Sequence, residues 1–148
     1  VQRSGRQPVA WACGFSAAIR ACVDEFDSMN ARWQSWRRRV IAWCRQQPEV
    51  TVDDAPMTSP SIIHLSVAGA RGTDLVMLAD RDGIDLSAGS ACHAGVSRPS
   101  PTMLAMGRDD DAASSGLRIS MGYTTTDVDI DRLLVTLPAT IRKASGAR

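Results

Sequence analysis

One stretch of this chain places a potential nucleophile where it could work: Ser87-Ala88-Gly89-Ser90-Ala91-Cys92-His93-Ala94-Gly95. The segment is small, polar and flanked by glycines, so it reads as a loop in which no neighbour is large enough to bury the Cys92 thiol. Sulfur chemistry needs an exposed thiol with some thiolate, and a free cysteine of pKa about 8.5 is ionised only to a few per cent at neutral pH. The adjacent His93 could raise that fraction. The remaining cysteines, Cys13, Cys22 and Cys44, fall on expected amphipathic helices, where a thiol behaves as a small hydrophobe and packing should shield it. No Cys-x-x-Cys pair occurs and two histidines give no zinc spacing, so no metal site is expected. Four cysteines spread over 148 residues do not suggest a disulfide scaffold, and reduced thiols are the expectation.

Amine chemistry is confined to one place, because Lys143 is the sole lysine among 17 basic residues. The other chemistry-bearing residues read as structural. His64, between Ile63 and Leu65, reads as a satisfied sheet histidine. Asp109-Asp110-Asp111 lacks the glycine and glutamate spacing of a cation loop and reads as a solvated turn. Arg32, Arg37, Arg38, Arg39 and Arg45 line a face opposite a tryptophan stripe, a pattern that can meet nucleic acid or a membrane surface. The formal net charge is only +1, and no further basic surface supports either partner.

These residues must be positioned by a predictable set of elements. Pro8 to Phe26 carries Val9, Ala12, Phe15, Ile19, Cys22, Val23 and Phe26 at helical spacing, with Cys13 and Cys22 expected in or near the core. Ser28 is expected to cap a second helix with Met29, Trp33, Trp36, Val40 and Trp43 inward. A connecting loop with a short strand near Val50 to Val52 follows, then a strand over Ser61 to Val67. A helix runs from Thr73 to Ala79 and ends at Gly83, a natural left-handed stop. Ile84 to Leu86 reads as a short strand, Pro99 to Met106 as a short helix, and Leu117 to Met121 as a strand. Thr125 or Thr126 caps a last helix with Ile130, Leu133, Leu134, Leu137 and Ile141 inward.

The length suits one domain with a real core. Hydrophobic residues make up 44% and charged residues 22%, which argues against disorder and against a fibre. No apolar run is long enough for a membrane helix, and VQRSGRQP does not read as a secretory signal. A cytoplasmic protein is expected, without nucleic-acid or membrane partners.

The cysteine loop resembles that of the cysteine desulfurases, pyridoxal-phosphate enzymes of the class V aminotransferase family. The resemblance continues in register through Pro99-Ser100, Met103-Leu104-Ala105-Met106-Gly107, Ser115 to Gly122 (SGLRISMG), and Thr124-Thr125-Thr126 to Ile130-Asp131. Upstream, Arg3-Ser4-Gly5 with Pro8 resembles the family's Arg-Ser-Gly-Thr-x-x-Pro. It implies an α+β fold: the small C-terminal domain of the aspartate-aminotransferase-like fold, a mostly antiparallel sheet covered by helices. Residues 1–148 would form that domain, with the nucleophile loop at about 87–98. The large domain bearing the cofactor lysine would lie outside this chain, because the family lysine precedes the Arg-Ser-Gly motif and Lys143 does not match it.

The resemblance also implies a chemistry. Family members bind L-cysteine as an aldimine on pyridoxal phosphate, and a loop cysteine attacks the substrate sulfur to give L-alanine and an enzyme persulfide. Cys92 matches that nucleophile, and Arg118 matches the arginine that binds the substrate carboxylate. Arg6 stands where the family has a threonine on the cofactor phosphate of the partner subunit. The implied partners are a second copy of the complete enzyme and a sulfur-acceptor or scaffold protein, with sulfur bound for iron–sulfur clusters or tRNA thiolation. Alternative readings are a selenocysteine lyase and a non-catalytic remnant or partner-binding module carrying sulfur on Cys92.

Overall fold

Three strands form an antiparallel sheet in the order β1-β2-β3: β1 (Val50–Asp53), β2 (Ile62–Val67) and β3 (Gly116–Ser120). This computed structural model describes residues 5–55, 57–89 and 98–146. Register follows from alternation, since a one-residue slip would turn every apolar side chain to the wrong face. Val50 pairs with Val67, Val52 with Leu65, Leu65 with Leu117 and Ile63 with Ile119 on the core face. Asp53 pairs with His64, His64 with Arg118, Thr51 with Ser66 and Ser66 with Gly116 on the other, outer face.

Three helices cover the core face: α1 (Val9–Cys44), α2 (Gly72–Arg81) and α5 (Asp127–Gly146). Trp36, Val40, Cys44, Leu75, Leu133, Leu137 and Ile141 are buried there against Ile63, Leu65 and Leu117. The expected stripes of Met29, Trp33, Trp36, Val40 and Trp43 and of the last helix therefore face inward. Trp36 is 1% exposed, Trp33 and Trp43 are partly buried, and Arg38 points to solvent. The indole nitrogen of Trp36 donates to Asp127 at 2.8 Å, Arg32 lies over the Trp36 ring at 4.8 Å, and Arg39 pairs with Asp127 and Asp131. This clamp docks the second half of α1 on the start of α5. That start is itself fixed by Thr126, whose N–H donates to the Asp129 carboxylate at 2.8 Å, a reciprocal capping box.

Two sequence expectations are corrected in α1. Instead of two helices there is one of 36 residues, because no glycine or proline interrupts the junction and the Ser28 hydroxyl donates back to the Glu25 carbonyl at 2.8 Å rather than capping a new start. The first half of that helix makes no core contact. Val9, Trp11, Phe15, Ile19, Val23 and Phe26 are exposed, and Cys13 and Cys22 with them. Helical spacing gave the correct stripe, but none of the described residues packs against it.

Among the described residues, the outer face is only partly covered. The short helices α3 (Pro101–Ala105) and α4 (Asp110–Ser114) lie on that side, and the Ser66 hydroxyl donates to the Ala112 carbonyl at 3.3 Å. Asp109 of the acidic run caps α4 by accepting from the Ala112 N–H at 2.8 Å, the structural role of a solvated turn. The strand expected at Ile84 to Leu86 is absent. That segment pairs with β3 only through a single bridge, Ser87 with Arg118. Gly83, with φ of 73°, ends the preceding helix as expected.

Gly72 sits where α2 presses on β3. A side-chain carbon there would collide with the Gly116 carbonyl oxygen and lie 3.0 Å from the Ala88 methyl. Gly72→Ala is therefore expected to lower stability by roughly 1–3 kcal/mol, the usual cost of overpacking, read as a lower urea midpoint at unchanged slope. An unchanged midpoint would show that α2 can withdraw from β3 at no cost.

Candidate functional site

Arg118 stands at the centre of β3, between the fully buried Leu117 and the nearly buried Ile119. Those two side chains pin the strand to the core, so alternation turns Arg118 to the outer face, where it is exposed. Its guanidinium makes no hydrogen bond or ion pair among the described residues. A planar guanidinium left open in this way can take a carboxylate through two parallel hydrogen bonds.

The backbone of Arg118 does a second job. Its N–H donates to the Ser87 carbonyl at 2.7 Å, and its carbonyl accepts from the Ser87 N–H at 3.1 Å. Ser87 is the first residue of the cysteine loop, so the loop leaves the fold directly beside the arginine. The far end of the loop is tied nearby, where the Ser100 N–H donates to the Ala113 carbonyl at 2.9 Å. The Ser100 hydroxyl then caps α3 by accepting from Met103. Cys92 and His93 themselves lie outside the described residues.

Next to Arg118 stands a polar cluster that sequence reasoning did not assemble. The Asp53 side chain is 6% exposed and is shared between His64 Nδ1, at 2.8 Å, and the Arg108 guanidinium. His64 was readable as a satisfied sheet residue, and Asp53 satisfies it. The pairing itself needs the β1–β2 register, which the intervening loop hides. A depression of about 300 Å³ opens beside the cluster, lined by Thr51, Ser66, Arg108, Asp109 and Asp111. Of its charged groups, Arg108 is engaged with Asp53 and Asp109 caps α4, and Arg118 does not line it.

The other expected site residues stand apart from Arg118. Arg6 precedes α1, whose first core contact is Met29, about 30 Å further along at ~1.5 Å per residue. Lys143 lies on α5, 3.8 Å from the Asp82 carboxylate on the core-side layer. The sheet separates it from Arg118. As a covalent holder of pyridoxal phosphate beside Arg118, the only lysine of this chain does not fit. Among the described residues there is no cluster of ligands for a metal ion, and no helix is long and apolar enough to cross a membrane.

The three described thiols divide into two classes. Cys13 and Cys22 are exposed on α1, which corrects the expectation that packing shields them. Cys44 is fully buried, and burial pushes its thiol up from 9.0 to about 11.

With this geometry in place, comparison with known proteins is informative. Residues 2–133 match the family model for class-V aminotransferases, and the chain belongs to that family, whose members depend on pyridoxal phosphate. It is similar to an IscS-like cysteine desulfurase of Mycobacterium tuberculosis, 36% identical over 98% of this chain and 38% of the relative. It is also similar to the cysteine desulfurase IscS of Klebsiella pneumoniae, 34% identical over 87% of this chain and 32% of the relative. Among solved structures, a NifS-like protein of Rickettsia africae superposes with a TM-score of 0.78 at 19% identity, over 95% of this chain and 36% of that one. The α+β fold expected from the resemblance is thus the fold observed. The chain spans about a third of the length of the curated relatives it matches.

The two thiol classes make a direct prediction. Below pH 9 the folded and unfolded states both keep Cys44 protonated, and its burial adds no pH dependence. Between about pH 9 and pH 11 only the unfolded state loses that proton, so stability falls as pH rises, by roughly 3 kcal/mol at most. Urea midpoints measured across that range should decline in the native chain and less steeply in Cys44→Ala. On the folded chain, mass mapping of a limiting alkylation should find Cys13 and Cys22 modified while Cys44 remains free. Early labelling of Cys44 would contradict its burial.

Proposed function

We propose that this chain is the C-terminal portion of a cysteine desulfurase, contributing Arg118 as the carboxylate site and Cys92 as the sulfur acceptor. The observation that carries this reading is the two-bond pairing of Ser87 with Arg118, which roots the cysteine loop beside the one outward-facing arginine of the sheet. Cys92 follows Ser87 by five residues, so it stays within roughly 18 Å of that pairing however the loop runs. An amino-acid carboxylate held by Arg118 would leave its β-sulfur within the sweep of the Cys92 thiol. The similarity to proteins named cysteine desulfurase supports L-cysteine as the substrate, L-alanine as the product and a persulfide on Cys92 as the carrier form.

Carbon–sulfur cleavage is not assigned to residues of this chain, since Lys143 lies behind the sheet. The large domain with the cofactor lysine belongs to the complete enzyme in this reading, which is a cytoplasmic homodimer. Arg6, at the free end of α1, would meet the cofactor phosphate of the partner subunit. A thiol set among small residues and glycines in the sequence suits delivery of sulfur to an acceptor or scaffold protein, for iron–sulfur cluster assembly or tRNA thiolation.

The chain's own part can be tested without turnover. Glutathione persulfide should pass its outer sulfur to the Cys92 thiolate and leave as glutathione. Mass mapping should find the extra sulfur on Cys92 before the exposed Cys13 and Cys22, and Cys92→Ser should lose that early product. Binding of L-alanine, followed by NMR, should weaken on the order of tenfold or more in Arg118→Ala, the loss of a charge-assisted pair. Loading of Cys13 or Cys22 ahead of Cys92, or alanine binding indifferent to Arg118, would contradict the assignment.

A further inference from the structure

The outer face holds a second titratable group whose geometry goes beyond a satisfied sheet residue. His64 lies at the middle of a row across the sheet, opposite Asp53 on one side and Arg118 on the other. Alternation puts all three side chains on the same face, and directly opposed residues have Cβ atoms roughly 5 Å apart. Asp53 holds His64 Nδ1 at 2.8 Å, and a carboxylate on one ring nitrogen makes that nitrogen the N–H donor and leaves the other for a ligand. His64 Nε2 has no partner among the described residues, and the side chain is 31% exposed. The ring lies over Gly116, where a side-chain carbon would stand 3.0 Å from Nε2 and 3.2 Å from Cε1. Gly116 and Arg118 are alternate residues of one strand, about 7 Å apart on this face, a span that an arginine side chain and a bound carboxylate can bridge. The missing side chain at Gly116 is therefore what gives the imidazole its place beside the arginine.

We propose that His64 is a second donor to the amino-acid carboxylate held by Arg118: as imidazolium, its Nε2–H donates to a carboxylate oxygen while Asp53 holds Nδ1–H. The proposal rests on the reading of Arg118 as the carboxylate site and deepens it. The charged groups that face His64 are Asp53 from β1, Arg118 from β3, and Arg108 from the segment between α3 and α4. An arriving carboxylate adds a second anion beside the ring and offsets Arg118, so binding draws a proton onto His64. By linkage, affinity is highest at low pH and falls as pH rises through the titration of His64. The row thus links carboxylate binding to proton uptake.

The test uses the 148-residue chain and L-alanine, with NMR following the Arg118 side chain and the His64 ring. In the native chain, alanine should raise the protonated fraction of His64 at fixed pH, and its affinity should fall on the order of tenfold from about pH 5.5 to about pH 8.5. His64→Gln keeps a neutral donor where Nε2 stands, so binding should persist and become independent of pH over this range. His64→Asn keeps the bond to Asp53 but offers no donor to the ligand, so its affinity should rest at the native high-pH level throughout. If alanine binding needs Arg118 yet keeps the native pH slope in both His64 variants, the His64 proposal is overturned and the Arg118 reading stands. If alanine binds no better to the native chain than to Arg118→Ala, both are overturned. The native pH slope and the His64 titration need no variant, so a misfolded substitution would not shelter the proposal.

Discussion

The paired hydrogen bonds between Ser87 and Arg118 join the root of the cysteine-bearing segment to the arginine, the two parts that the proposed site requires. Each is worth only about 1 kcal/mol net, too little to hold a loop root by itself. Packing makes the joint firm. Leu117 and Ile119 anchor β3 in the core on either side of Arg118, and Gly72 lets the start of α2 press against the Gly116 carbonyl and the Ala88 methyl. The segment that leads to Cys92 is held beside Arg118 by the close approach that Gly72 allows.

The sheet separates duties between its faces. Its core face is a closed apolar layer under α1, α2 and α5, which fixes strand register and hence which residues turn outward. Its outer face is a polar row, Asp53, His64 and Arg118, extended by the Ser87 bridge. The same division explains why Lys143, on the core-side layer, is a poor candidate for chemistry although it is the only amine side chain present. Helix α1 repeats the division along its length. From Met29 onward it is docked by the Trp36–Asp127 bond and the Arg39 pairs, whereas before Met29 its apolar stripe is exposed.

What the sequence made legible was local. The strand at Ile62–Val67, the stop at Gly83, the Thr126 cap and the inward stripe of α5 each follow from a few neighbouring residues. The apolar face of the first α1 turns was also correctly located, but burial is a property of whatever packs against a face, and the pattern alone could not supply that. Cys13 and Cys22 were misplaced for this reason, and Cys44, on the docked half, was not. Ser28 suggested a helix start because serine caps well, yet the same hydroxyl can bond back to a carbonyl inside a continuous helix. At the site, Arg118 was legible through a motif. The Asp53–His64–Arg108 cluster was not, because its members lie on separate elements and meet only through tertiary register.

The central claim is that Cys92 and Arg118 belong to one site on the outer face. A nitroxide attached to Cys92 tests it, in a chain carrying Cys13→Ser and Cys22→Ser and retaining the buried Cys44, which the reagent should not reach. Paramagnetic broadening should be strong at the amides of His64, Gly116 and Arg118 and weak at those of Ile141 and Lys143 behind the sheet. Broadening centred on α5 or on the exposed half of α1, with β3 left sharp, would contradict the account.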